Sequence, residues 1–126
     1  MTPTRPSEGG TSGAAGHPYA SFQRALKRGN VLMAVAAAKD LPRLSLGDTL
    51  ELTVLVARKD PRRHQRVAAR WLLRYLEEDP HATIEEAVLA ASSLVALAGV
   101  AHQEAAQTLR AMAERATSRR RQRGVA

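Results

Sequence analysis

A chain of 126 residues, 44% hydrophobic and 25% charged, is long enough for one globular core and too apolar to stay unfolded along its whole length. It contains no cysteine, which excludes disulfides and thiolate chemistry and fits a reducing compartment. Its 19 basic residues against 12 acidic ones give a net charge of +7, a surplus that favours anionic partners.

Residues 1–17, MTPTRPSEGGTSGAAGH, hold no apolar run of the kind a secretory segment needs, so the cytoplasm is the expected location. The same residues cannot bury enough surface to offset ordering and read as a disordered N-terminal tail, with a single all-α domain over 18–117. Pro18 can open a first helix that sets Tyr19, Phe22 and Leu26 on one side and stops at Gly29. Asn30 then caps a second, VLMAVAAAKDL, ending before Pro42. Ser45 and Asp48 have capping-box-like spacing and open a third, which runs to about Lys59. Within it, residues 50–56 alternate apolar and polar side chains as a strand does. A lone strand would leave its backbone groups unpaired, so helix is expected there and strand is the alternative.

Asp60 and Pro61 make an N-cap and first-turn proline for a fourth helix, which Pro80 closes. Thr83 and Glu86 form a capping box for a fifth that reaches Gly99. The sixth is expected from about Ala101 to Ala116, followed by a basic C-terminal tail over 118–126. The stretch Ala87 to Ala101 is uncharged but shorter than the roughly eighteen residues a membrane span requires, so it reads as a buried helix. Helices two and five are apolar nearly all round, which predicts cover on several sides. Helix six, with the single stripe Ala105, Leu109, Met112 and Ala116, reads as an end cap.

The expected fold is all-α: about six helices in three antiparallel hairpins, stacked as a short α-solenoid or a compact helical bundle. The many alanines bury little area each, which leaves completion of the core in a homo-oligomer open. In the middle hairpin Ala68 is followed four residues later by Leu72 and later closed by Pro80, and on those positions it resembles a tetratricopeptide-like helical repeat. The resemblance implies a scaffold that binds other molecules on a helical face.

Residue patterns for catalysis or cofactors are not found in the sequence. His17, His64, His81 and His102 are scattered singly and read as surface residues, without the spacing that brings two imidazoles to one metal. EGGTSG lacks the Lys-Ser/Thr ending of a phosphate loop, and the pairs Glu77/Glu78 and Glu85/Glu86 sit at helix ends where capping and solubility account for them. No catalytic residue, cofactor or metal is therefore expected.

The fourth helix carries the one constellation that asks for a partner. Arg62, Arg63, Arg66, Arg70 and Arg74 fall within about 120° of arc, one cationic stripe opposite Ala68, Trp71, Leu72, Tyr75 and Leu76. Like charges at i, i+4 repel by about 0.2–0.5 kcal/mol per pair, and the helix dipole disfavours arginines at its start, so local helix stability did not choose them. Pairing within the fold, with Asp48, Glu51, Glu104 or Glu114, is one explanation. The other is an anionic partner. Specific reading of DNA is not supported, because the helix has no Asn, Ser or Thr and only Gln65 to reach base edges. Single-strand stacking lacks spare aromatics. The expected function is an adaptor that presents this face to an acidic protein surface. The alternative is non-specific binding of a nucleic-acid duplex, helped by the tail arginines Arg119, Arg120, Arg121 and Arg123.

Overall fold

The computed structural model describes residues 17–125, and every regular element among them is an α-helix. They are α1 (His17–Arg28), α2 (Val31–Lys39), α3 (Leu46–Lys59), α4 (Pro61–Glu78), α5 (Ile84–Ala96) and α6 (His102–Val125). The tail expected over residues 1–17 lies outside the described residues except for His17, which begins α1. The described residues fall into two compact units that divide after Arg43, where the sequence suggests one domain over 18–117.

The first unit is the hairpin α1–α2. Gly29 joins its helices with φ at 70°, a conformation that costs glycine nothing, and the Asn30 side chain accepts from the Met33 amide to cap α2. Phe22, Ala25 and Ala34 are buried, whereas Tyr19 is exposed. The cover expected on several sides of α2 is not found: Leu32 is 75% exposed and Met33 is also open to solvent. Of the nine residues of α2 only Ala34 is fully buried.

The second unit, residues 44–125, is a four-helix bundle. Each of α3, α4, α5 and α6 packs on the next, α6 returns to α3, and α4 also meets α6 across the middle. That closure selects the bundle over the open solenoid. Local chemistry starts the helices where the sequence suggests. Ser45 accepts from the Asp48 amide, and Thr83 and Glu86 exchange both bonds of a capping box. Residues 50–56 are helical throughout. Asp60 differs from expectation: it makes no side-chain cap bond and pairs with Arg63 at 3.2 Å, while Pro61 holds the first turn of α4.

The core gathers Leu46 and Leu50 of α3, Ala68, Trp71 and Tyr75 of α4, Ala90, Leu94 and Leu97 around α5, and Leu109 and Met112 of α6. Trp71 and Tyr75 stack with ring centroids 5.5 Å apart, and the Trp71 indole donates to the Leu46 carbonyl at 3.0 Å, tying α4 to the start of α3. Helix α6 is a core element and not an end cap. Ala106 and Ala113 are buried beside its expected stripe, and the helix continues past Ala116 to Val125, so the expected tail is its last turns. Helix α5 buries Ala90, Ser93 and Leu94 but leaves Ile84, Val88, Leu89 and Val95 exposed, so its apolar surroundings stop at one side.

These burials separate two substitutions that the sequence treats alike. Leu94→Asp places an uncompensated charge at a site only 3% exposed and costs upward of about 4 kcal/mol, enough to unfold a domain of ordinary stability. Leu32→Asp, at an exposed site, shifts stability by no more than about 0.5 kcal/mol. Urea unfolding followed by circular dichroism checks both, and equal losses would contradict this burial map.

Candidate functional site

Helix α4 has three faces. His64, Ala68, Trp71 and Tyr75, spaced four, three and four residues apart, point into the bundle and are buried. Beside them runs an apolar strip that is largely open: Ala69 and Leu76 are exposed and Leu72 is half-buried, while Leu73, also exposed, falls within the arginine arc. The arginines occupy the remaining face. Thus part of the side opposite the arginines, Leu76 in full and Leu72 in part, belongs to the surface and not to the core.

The five arginines do not share one environment. Arg74 is drawn inward: its Nε donates to the Glu78 carboxylate at 2.6 Å, and its guanidinium also bonds the Leu44 carbonyl just before α3. Arg63 pairs with Asp60 across one turn. Arg62, Arg66 and Arg70 are exposed and form no ion pair or side-chain hydrogen bond among the described residues. Their expected internal partners are engaged or apart. Glu51 grips Arg110 of α6 through two bonds of 2.7 and 2.9 Å, which hold the Arg110 guanidinium above its ordinary range. A concavity of about 470 Å³ lies against the first turns of α4, lined by Arg62, Arg63, Gln65 and Arg66.

The arginines of residues 119–123 do a different job from the one the sequence suggests. Asp79, which ends α4, is 1% exposed, and its Oδ2 receives Arg119 at 2.7 Å. Arg119 also reaches Glu86 of α5 at 3.3 Å, and Arg115 joins Glu86 at 3.2 Å. Arg120 pairs with Glu78 at 3.3 Å, while Arg123 donates to the Glu78 backbone carbonyl at 2.9 Å. Of the four arginines expected in a free tail, only Arg121 has neither an ion pair nor a side-chain hydrogen bond among the described residues. The Glu86 carboxyl is held below its ordinary value of 4.5, first by the Thr83 amide and then by Arg119. Burial, followed by the charges of Glu86 and Asp79, raises the Tyr75 phenol above its usual range.

A groove of about 480 Å³ opens between α4 and α5, walled by Ala68, Ala69, Leu72, Ala91, Leu94 and Val95. Arg62 and Gln65 line both this groove and the arginine concavity, so the apolar and cationic surfaces are continuous. His64 also borders the groove. It is buried, not a surface residue: its Nε2 donates to the Leu94 carbonyl at 2.8 Å, and its Nδ1 has no partner among the described residues. The signal was available in the sequence, since His64 lies on the same 4-3-4 spacing as Ala68, Trp71 and Tyr75. Among the described residues no group of three or more His, Cys, Asp or Glu side chains could hold a metal ion, and no helix is long and apolar enough to cross a membrane. No family model, curated protein or solved structure matches this chain.

The network at Asp79 is testable by heat and by pH. Arg119→Ala leaves a buried carboxylate without its counter-charge, so it lowers the melting temperature at least twice as far as Arg120→Ala, which removes a half-exposed guanidinium from a Glu78 that still holds Arg74. Glu86→Gln destabilises at pH 7. Because the folded Glu86 titrates below 4.5, its stabilisation is complete above that pH and is lost as pH falls through the depressed value, where the difference between variant and wild type closes. Thermal melts across pH 3–7 read both effects, and an unchanged melt for Arg119→Ala contradicts the assignment.

Proposed function

We propose that the protein is a non-enzymatic adaptor of the cytoplasm that presents Arg62, Arg66 and Arg70, flanked by Arg63, to an acidic protein surface. The observation that carries this reading is the unequal treatment of the arginines. Arg74, Arg110, Arg115, Arg119 and Arg120 each meet a carboxylate, whereas Arg62, Arg66 and Arg70 stand exposed at i, i+4 intervals with their mutual repulsion unrelieved. A cost of about 0.2–0.5 kcal/mol per pair, kept on an open surface, is what a docking face for carboxylates would carry. Arg74 drops out of the face, and so do Arg119, Arg120 and Arg123. The remaining cations are few for duplex binding, which would lose affinity with a log–log salt slope of only about −3 if three phosphates were neutralised.

Salt titration of two probes tests the reading: a glutamate-rich peptide and a random-sequence DNA duplex, each with wild type and with Arg66→Glu/Arg70→Glu. The peptide is expected to bind at about 0.15 M salt and to lose at least tenfold in affinity on the double reversal, while duplex binding stays marginal and disappears near 0.2 M. Tight duplex binding that the reversal abolishes, with the peptide indifferent, would replace this function by nucleic-acid binding.

A further inference from the structure

The groove between α4 and α5 is apolar, open and joined to the arginine concavity, and no part of the adaptor reading uses it. Its floor and walls are unusually small: Ala68, Ala69, Ala91 and Ala98 leave room for the side chains of another element, while Leu72 and Val95 supply apolar contact. Val95 is 74% exposed, and beyond the groove the same helix faces continue with Leu76, Val88 and Ile84, all open to solvent. Exposed apolar side chains scattered singly need no explanation, but a continuous strip along two neighbouring helices marks an interaction surface.

We propose that this groove seats an amphipathic helix of the partner protein, apolar residues inward and carboxylates along the flank that meets Arg62 and Arg66. The inference rests on the adaptor reading and specifies the form its partner takes. Charge complementarity selects the occupant. The lip shared by groove and concavity is formed by Arg62 and Gln65, so whatever fills the apolar part lays one edge against guanidinium groups. A second copy of this chain brings its own charge of +7 to that edge. A purely apolar or basic helix leaves the arginines unmatched. The dimensions fit as well: from Pro61 to Leu72 the groove follows about 16 Å of α4, and a helix with anchors at i, i+4 and i+7 spans about 10 Å.

The probe is a synthetic helical peptide of about eighteen residues with leucines at i, i+4 and i+7 and glutamates along one edge. Its controls carry lysine for the glutamates or serine for the leucines. Binding is measured by fluorescence anisotropy with wild type, Val95→Gln and Arg62→Glu/Arg66→Glu. Ala69→Gln, exposed on the opposite wall, serves as a second groove variant, and circular dichroism confirms that each variant is folded. The expected result is at least a tenfold loss of affinity from either class of variant and from either peptide control. If the arginine reversal weakens binding but neither groove variant does, docking is by charge alone; the groove inference falls while the adaptor reading stands. If the groove variants weaken binding and all charge changes are neutral, both fall. Sedimentation showing a wild-type dimer that Val95→Gln dissociates would make a second copy the occupant and overturn the proposal.

Discussion

The carboxylate of Asp79 is withdrawn from water at the end of α4, and a charge so placed demands a counter-charge. Arg119 provides it from a helix forty residues further along the chain, and to do so α6 must stay helical beyond the point where its apolar stripe ends. Arg115, Arg120 and Arg123 converge on the same corner through Glu86 and Glu78, so the last turns of α6 fasten the junction between α4 and α5. The groove lies at the other ends of the same two helices, between residues 61–72 of α4 and residues 91–98 at the end of α5. Removing the counter-charge would cost more than the pair contributes, because the carboxylate would remain buried alone.

The same constraint divides the arginines by role. Those near the α4–α5 junction are consumed by structure: Arg74 and Arg120 share Glu78, and Arg119 bridges Asp79 and Glu86. Of the acidic residues that could have neutralised the first half of α4, Glu51 is engaged elsewhere by Arg110 and Asp60 is taken up by Arg63 alone. What remains is a short cationic face at the N-terminal half of α4. The helix dipole adds to its positive potential there.

Much of the architecture was legible because it is local. The caps at Asn30, Ser45 and Thr83, the positive φ at Gly29 and the proline at Pro61 act within one turn, and each delimits a helix as expected. What escaped is tertiary. The spacing of Ala105, Leu109, Met112 and Ala116 continues through Arg119 and Arg123, but a charged residue on a core stripe announces itself only once its buried partner is known. Likewise Leu76 and Val95 are apolar residues on surfaces that a period of 3.6 cannot distinguish from core. Their exposure depends on how far α4 and α5 stand apart, which the small residues Ala69, Ala91 and Ala98 do not declare. The stripe of five arginines was real as a pattern, yet only the three without carboxylate partners form the candidate face.

The division of the arginines into structural and available ones is the central claim, and their reactivity measures it directly. An α-dicarbonyl reagent condenses with accessible guanidinium groups, and mass spectrometry of the folded protein reads the extent of modification residue by residue. Arg62, Arg66 and Arg70 should react first, with Arg74 and Arg119 protected until the protein is unfolded in denaturant. Modification of Arg119 as fast as that of Arg66 in the folded protein would contradict the account.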